Sequence, residues 1–342
     1  MVTTDISGVD IYLVCNEDIQ LAALIVSSLR DKGSDNIHLL ISDQQSQCIG
    51  EKISANIVSG TWNEIEDYEV AIADAVIVIS MMYHDFEKQE KLFSACVRQD
   101  VALFIAWDSG MELHHLVPNQ ACPRTQLHQT LLDYESSLKP FPHKSHESPI
   151  TQYSTSHIKS YDKMHWVLFQ VGIFADEILK NDVSTVTTAF HSPKQFIFIN
   201  VSVKSDFAQI IANVIVSNKI KLNKNYVVGE FVSHTFLGHI YNVFNQGHGY
   251  NSRVPCELSE FEMSNLLRLS GIVSSRLLPR IIYPNCNVYV WKLCMEVSLQ
   301  HEAIIYKLLA NDHRQITLRD WVRQIIDKED EANSNRLQYK IQ

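Results

Sequence analysis

The sequence contains very little glycine. It has 11 glycines in 342 residues, where average usage of roughly 7% would give about 24. Glycine is the residue that lets a backbone pass close to a bound phosphate, so dinucleotide-binding turns depend on it at several fixed positions. A function that needs such a turn is therefore disfavoured from the outset.

Three other absences narrow the class of protein. No apolar run approaches the roughly 20 residues of a membrane span, and the start, MVTTDISGVD, lacks a basic region and apolar stretch like those of a secretory signal. No Lys/Arg cluster stands out, and the net charge of −10 disfavours nucleic acid or an anionic membrane as partner. The seven cysteines never form a C-x-x-C pair, which is typical of reduced thiols. We expect a cytoplasmic protein with a small-molecule ligand. The sequence leaves open whether it forms a homodimer.

The composition is otherwise that of a globular protein with one large domain or about two. Its first 110 residues alternate short apolar runs with segments of helical apolar spacing. The runs that predict strands are residues 9–15, 37–41, 57–58, 75–79 and 101–106, and the segments that predict helices are 18–30, 68–73 and 86–99. Strands that are apolar on both faces and separated by helices indicate a parallel sheet covered by helices on both sides.

The pattern changes after the fifth strand. Residues 112–150 are polar and rich in His and Pro, which predicts a long active-site loop or an insertion. Later strands are predicted at 166–171, 196–201 and 226–228, and later helices at 148–160, 206–216 and 317–326.

Several segments together resemble a known family. They are ADAVIVIS (73–80), EKQEKLFSACVRQDVALFIAWDSGMEL (87–113), MHWVLFQVGIFADEIL (164–179) and TLRDWVRQII (317–326). In order and spacing they resemble the NmrA-like and isoflavone-reductase-like branch of the atypical short-chain dehydrogenases. The resemblance is in register over residues 8–110 and 160–230.

That resemblance implies an α/β protein with a Rossmann-type doubly wound parallel sheet and a smaller C-terminal α/β substrate-binding region. It implies NADP as cofactor and hydride transfer assisted by a lysine, although some members of the branch are redox-sensing regulators. We expect residues 1–180 to form the Rossmann-like part with its insertion, 181–328 to form the substrate-binding region, and 329–342 to be a frayed tail.

The dinucleotide turn is degenerate. The segment from Cys15 to Ala22 contains no glycine, and Glu17 and Asp18 place carboxylates where the phosphates of a dinucleotide would lie. Acidic residues at a helix start favour a capped structural helix instead. Asn16 and Glu17 thus mark a degenerate cofactor loop. No cofactor is predicted. NADP would be the cofactor only if this degenerate loop still binds it.

Two further cofactor features are altered. Ser42 stands where the branch has its NADP-selecting arginine, and the following Asp43 could accept hydrogen bonds from a ribose or serve only as a turn residue. The branch lysine corresponds to Gln152, since Lys144 and Lys159 are both out of register. The pair Tyr-x-x-x-Lys is absent from the whole chain, so conventional hydride transfer is disfavoured.

Open parallel sheets bind ligands at the carboxyl ends of their strands, and candidate side chains follow several strands here. The predicted catalytic residues are Asp108, His157, Tyr83 and Glu112. The predicted substrate-pocket residues are Ser80, Trp107, Phe174 and Asp176. A carboxyl of Asp108 or Glu112 desolvated by Trp107 could serve as a general acid or base. The alternative for each residue is a hydrogen-bonded structural role. No metal site is predicted, because the histidine spacings fit no ligand pattern.

Two classes of function follow. The first is an enzyme of fungal-type specialised metabolism that has exchanged hydride transfer for acid/base chemistry such as cyclisation, condensation or isomerisation. The second is a non-catalytic binding or regulatory protein with the same fold, since fold alone does not establish activity. An NAD(P)-dependent reductase comes third.

Overall fold

The structure is a computed structural model, and it describes a defined part of the chain. The described residues are 5–16, 18–43, 53–82, 85–109, 123–137, 164–171, 173–175, 198–217, 220–233, 309, 314–318 and 320–324. Over these residues the order up to the fifth strand is strand, helix, strand, strand, helix, strand, helix and strand, at the positions of the predicted apolar runs.

The elements are numbered in chain order. The strands are β1 (Ile11–Cys15), β2 (Ile37–Ser42), β3 (Asn56–Gly60), β4 (Ile77–Met81), β5 (Leu103–Ser109), β6 (His165–Val171), β7 (Ile173–Phe174), β8 (Phe198–Ser202), β9 (Lys224–Val228) and β10 (Glu230–Ser233). The helices are α1 (Ile19–Asp31), α2 (Ile65–Ala71), α3 (Phe86–Arg98), α4 (Pro123–Ser137) and α5 (Lys204–Val216).

The main sheet has seven strands in the order β3-β2-β1-β4-β5-β6-β9. Every neighbouring pair is parallel, so the carboxyl ends of all seven strands meet at one edge. The strand order reverses between β1 and β4, which is the topological switch point at which open α/β sheets bind ligands. The predicted Rossmann-type doubly wound fold is confirmed.

Both faces of the central strands of this sheet are buried, which explains their unbroken apolar runs, whereas the edge strand β3 is largely exposed. In β1, Ile11 and Leu13 belong to one hydrophobic cluster and Tyr12 and Val14 to the other. Helices α1 and α5 cover the first face, where they pack side by side. Helices α2, α3 and α4 cover the second face. A strand sandwiched in this way needs apolar residues at every position rather than at alternate ones.

A second, three-stranded sheet has the order β10-β8-β7, and a C-terminal segment lies against it. The backbone N–H of Ile316 donates to Asp206 of α5 at 2.7 Å, and that of Leu318 donates to Glu230 of β10 at 2.7 Å. Residues 318 and 320–324 are helical, and Thr317 accepts from the N–H of Asp320 at 3.1 Å. The predicted Thr-capped helix is thus confirmed over these residues.

Several boundaries differ from the sequence-based expectation. Strands β1 and β5 each begin two residues later than predicted, and helix α2 begins three residues earlier, at Ile65. Strand β4 begins two residues later than predicted, because Ala75 is used in a turn in which its N–H donates to Ile72. Helix α4 lies within the polar stretch that predicted a loop, and it is anchored by the buried Leu127 and Leu131. Such a short apolar stripe in a polar segment gives little helical signal. The predicted helix at 148–160 lies outside the described residues.

Within the described part of the chain, no helix is both long enough and apolar enough to cross a bilayer.

Candidate functional site

A cavity of about 350 Å³ opens at the carboxyl edge of the main sheet, on the β1 side of the switch point. Its walls come from the ends of β1, β2 and β3, from the segment after β4, and from α2 and α3. The lining residues are Val14, Cys15, Asn16, Ser42, Asp43, Gly60, Thr61, Trp62, Asn63, Tyr68, Met82 and Lys88. The cavity has the size and the mixed apolar and polar lining of a small-molecule site.

Trp62 supplies an aromatic wall that is held in one orientation. Its indole N–H donates to the carbonyl of Ile41 at 3.0 Å. Its ring packs so closely over Gly60 that a Cβ there would lie 2.9 Å from two ring carbons. The ring is half-buried, so one part is fixed by the protein while the rest faces the cavity. Gly60 is therefore a position where a close approach requires the absence of a side chain.

The ring of Tyr68 packs against the ring of Trp62. The two rings stack with centroids 6.3 Å apart and planes 25° from parallel. The Tyr68 hydroxyl donates to the Trp62 carbonyl at 3.2 Å and lies 3.6 Å from the Met82 sulfur. Burial, together with the nearby carboxylates of Asp85 and Asp67, raises the pKa of Tyr68 well above its ordinary value. The phenol thus stays protonated and acts as a fixed hydrogen-bond donor.

The polar groups of the cavity surround this aromatic wall. Asn16, Asp43 and Asn63 supply carboxylate and amide groups at the ends of β1 and β2 and after β3. Lys88 is the cation of the lining, and its ammonium lies 3.7 Å from the carboxylate of Asp85. Predicted cofactor-loop residues Asn16 and Asp43 therefore do come together at one cavity.

The N-terminus of α1 is occupied by the chain's own carboxylate. Asp18 is the N-cap residue, and its side chain accepts from the backbone N–H of Leu21 at 2.9 Å. A helix N-terminus presents unpaired N–H groups and a partial positive charge, which is why dinucleotide-binding folds place a pyrophosphate there. The predicted capped helix start is confirmed, and Asp18 satisfies a donor that a phosphate would otherwise take.

A lysine from a distant part of the chain completes this arrangement. The Lys204 ammonium lies 2.8 Å from the second carboxylate oxygen of Asp18, and both side chains are 11% exposed. The same ammonium lies 5.5 Å from the centre of the Phe174 ring, within the range of a cation–π contact. Lys204 is the first residue of α5, so the ion pair joins the start of α1 to the start of α5 and to β7.

A diphosphate at the α1 N-terminus would meet Asp18 and Lys204 already paired with each other. An incoming diphosphate would have to displace a carboxylate from both its backbone donor and its lysine. If the carboxylate remained, two anions would lie side by side in a poorly solvated region, which is strongly unfavourable.

The three described pocket candidates lie in the core. Ser80 is fully buried and accepts from the Gln89 amide at 3.2 Å. Trp107 is fully buried and meets the Phe207 ring edge to face at 5.1 Å. Phe174 is 2% exposed beneath Lys204. None of the three lines the cavity, and their roles as ligand contacts stay predictions.

Of the predicted catalytic residues, Asp108 lies within the described part of the chain. Asp108 lies near the end of β5, paired in register with Gln170 of β6. The predicted residues Tyr83, Glu112, His157, Asp176 and Glu17 lie outside the described residues. Their catalytic, pocket and loop roles stay predictions.

The sequence analysis missed Trp62 and Lys204 as site residues. Trp62 follows the weakest predicted strand, and only the pairing of β3 with β2 brings its indole N–H to the Ile41 carbonyl. Lys204 opens an ordinary helix, and its partner belongs to the first βα unit. A single lysine at a helix start gives no sequence signal for a contact with Asp18.

Comparison with known proteins agrees with the fold. No protein-family model matches the sequence, and no curated protein matches it significantly. Solved structures do match. Triphenylmethane reductase from Citrobacter sp., complexed with NADP(H), has a TM-score of 0.57 at 13% identity over 92% of this chain and 99% of that chain. A nucleoside-diphosphate-sugar epimerase from Staphylococcus aureus has a TM-score of 0.60 at 14% identity over 92% and 99%.

A third match comes from a study of pinoresinol-lariciresinol and phenylcoumaran benzylic ether reductases and their relationship to isoflavone reductases. Its TM-score is 0.60 at 11% identity, over 92% of this chain and 98% of that chain. Identities this low show a shared fold and nothing finer. The chain thus has the Rossmann-type fold on which these reductases and this epimerase are built.

Proposed function

We propose that the chain is an NmrA-like, isoflavone-reductase-like protein that binds a small organic molecule and acts on it by acid/base chemistry without NADP hydride transfer. The observation that carries this proposal is the Asp18–Lys204 ion pair at the N-terminus of α1. In this fold that position is the pyrophosphate site, and here it is filled by an internal carboxylate.

The sequence supports the same conclusion independently. No glycine occurs between Cys15 and Ala22, and the position of the branch lysine carries Gln152. A hydride-transfer enzyme needs the dinucleotide to be anchored before its nicotinamide ring can be positioned. Loss of the anchor removes the reason to retain the rest of the redox machinery.

Acid/base chemistry remains accessible at the carboxyl edge of the sheet. Asp108 is near the end of β5, where a carboxyl group can exchange a proton with a ligand that lies across the strand ends. Cyclisation, condensation and isomerisation need a shaped cavity and one or two such groups, and no external reductant. Asp108 is therefore the catalytic residue that this proposal tests first.

A non-catalytic binding or regulatory protein is the second candidate. It is favoured by the position of Ser80, Trp107 and Phe174, which are buried in the core and do not line the cavity. The cavity beside Trp62 would then serve only to bind its ligand.

The test combines native mass spectrometry of the purified full chain with thermal shift against NADP, NAD and ADP. We expect no co-purified dinucleotide and no stabilisation, since binding to the folded state would raise the melting temperature by mass action. Asp18→Asn keeps the helix cap but removes the charge, so it should gain ADP binding, whereas the matched Asp85→Asn should not. Co-purified NADP, or stabilisation of the wild type by NADP, would contradict this proposal and favour an NAD(P)-dependent reductase.

Turnover separates the two remaining candidates. Once a ligand that stabilises the protein is known, its conversion is followed with wild type and Asp108→Asn. Conversion that is lost in Asp108→Asn while the ligand still binds supports the enzyme. Binding without conversion supports the regulatory protein.

A further inference from the structure

The first turn of α5 is held by contacts from outside the helix. Its N-cap residue, Val203, makes no side-chain cap hydrogen bond, whereas α1 and α3 begin with aspartates that do. A helix without a capping side chain frays more readily at its first turn, where backbone N–H groups lack partners within the helix. The position of Lys204, the first residue of α5, therefore depends on long-range contacts.

Two charged side chains of this turn make such contacts. The Lys204 ammonium pairs with the Asp18 carboxylate at the start of α1, at 2.8 Å. Two residues further on, the Asp206 carboxylate accepts from the backbone N–H of Ile316 at 2.7 Å. One helical turn thus joins the α1 N-terminus to a segment that lies 110 residues beyond Asp206 in the chain.

The segment at the far end of this link is a structured element, the C-terminal strap, defined as residues 314–318 and 320–324. It is attached at two further points beside β10. The N–H of Leu318 donates to the Glu230 carboxylate at 2.7 Å, and the amide of Gln315 donates to the Gly229 carbonyl at 3.4 Å. The strap is therefore fixed both to α5 and to the second sheet.

The burial of Asp206 makes its bond to the strap costly to lose. This side chain is 2% exposed, and a buried carboxylate requires hydrogen-bond donors in place of water. The strap supplies one of these donors through Ile316. If the strap moved away, a buried charge would lose a donor two residues from Lys204, and the first turn of α5 would lose one of its attachments.

We propose that the C-terminal strap regulates the start of α1. The strap fixes the first turn of α5 through Asp206 and thereby holds Lys204 on Asp18, so that release of the strap loosens this ion pair. The inference rests on the proposed function, because it concerns the same Asp18–Lys204 pair. It extends that proposal by naming the element that keeps the pair in place.

The experiment measures amide hydrogen exchange of the full chain, without ligand, in wild type and in Lys204→Met. Coupling between two sites is reciprocal, so a strap that stabilises the pair is stabilised by it to the same degree. Exchange at the strap amides of Ile316 and Leu318 should rise at least about fivefold more than at Trp166, the lower end of typical coupling between sites. The Trp166 amide is the matched reference, because it also donates to a side-chain oxygen, that of Asn223, at 3.0 Å.

Three further variants keep the test decisive if Lys204→Met folds poorly. Asp18→Asn keeps the helix cap but removes the charge, so it should speed exchange at the same two strap amides. Lys204→Arg keeps the charge and should exchange nearly as slowly as wild type. Ser202→Ala is the control, because Ser202 lies two residues before Lys204 but donates to the Val228 carbonyl at 3.1 Å; it should leave strap exchange unchanged relative to Trp166.

The outcomes separate this inference from the proposed function. A relative increase below about fivefold in both Lys204→Met and Asp18→Asn, or an equal increase in Ser202→Ala, overturns the regulatory strap. Binding of NADP by the wild type would overturn the proposed function and would leave the exchange result unaffected, since no nucleotide is present in that experiment.

Discussion

Two helices of this protein begin in the same way and differ in what surrounds them. α1 follows β1 and α3 follows β4, and each has an aspartate N-cap that accepts from a backbone N–H three residues on, Asp18 at 2.9 Å and Asp85 at 3.1 Å. Each aspartate also has a lysine partner. The lysine partner of Asp85 lies three residues after it in the same helix, whereas the first turn of α1 contains no lysine.

The two aspartates differ in the position and exposure of their lysine partners. Asp85 meets Lys88 of its own helix at 3.7 Å, with both side chains about one-third exposed. Asp18 meets Lys204 of α5 at 2.8 Å, with both 11% exposed. An exposed local pair contributes little to stability, whereas a buried long-range pair is costly to break. The same type of capping residue thus begins both helices, with a long-range, largely buried partner at α1 and a local, more exposed partner at α3.

The largest expected effect is the loss of the Asp18 side chain. Asp18→Ala removes the cap, worth about 1 kcal/mol, and leaves Lys204 buried without this partner, which costs roughly 3–5 kcal/mol when a buried pair is broken. Asp85→Ala should lower the free energy of unfolding by only about 1 kcal/mol. Urea unfolding of both variants measures the difference. Equal losses would remove the distinction between the two helix starts.

A double-mutant cycle isolates the ion pair from the cap. Asp18→Asn and Lys204→Met keep the cap and most of the packing, and their coupling free energy should be roughly 1–3 kcal/mol. The parallel cycle of Asp85→Asn and Lys88→Met should give about 0–1 kcal/mol. The idea of a tight internal pair fails if the Asp18–Lys204 coupling is no larger than the Asp85–Lys88 coupling.

Salt should affect the two pairs unequally. At about 1 M salt the screening length is near 3 Å, and exposed charges are screened far more than buried ones. The small Asp85–Lys88 coupling should therefore vanish, while most of the Asp18–Lys204 coupling should remain. The measurement repeats both cycles in sodium chloride. A coupling at Asp18 that salt abolishes would show a pair open to solvent.

The smallest effect concerns alkaline pH. The pKa of Tyr68 is raised in the folded protein by burial and by Asp85 and Asp67, so its contribution is intact below the unfolded pKa near 10 and is lost as pH rises above it. Tyr68→Phe should reduce the loss of stability above about pH 10. Asp85→Asn should lower the pKa of Tyr68, and Asp18→Asn should not. Absorbance titration against Tyr68→Phe follows this ionisation.

Much of this architecture is readable from the sequence because it is local. The apolar runs locate β1, β2 and β5, since strands buried on both faces need such runs. Asp18 is recognisable as a helix cap, because capping depends on residues within one turn. The absence of glycine between Cys15 and Ala22 is likewise visible in the sequence itself.

The site itself depends on contacts that no local pattern encodes. Lys204 pairs with Asp18 only because α5 packs beside α1, and the Trp62 indole reaches the Ile41 carbonyl, 21 residues away, only after β3 pairs with β2. Trp107 and Ser80 are predicted to contact a ligand; both are buried in the core, and that role stays a prediction. Sequence reasoning thus pointed to Asn16 and Asp43 in the cavity wall but not to Trp62 or Lys88.

The most direct test of the central claim is a calorimetric titration of NADPH into the wild-type full chain. The internal Asp18–Lys204 pair predicts no saturable binding, with Asp18→Asn gaining measurable affinity. Saturable binding of one NADPH per wild-type chain would contradict the claim that the protein's own carboxylate occupies the pyrophosphate position.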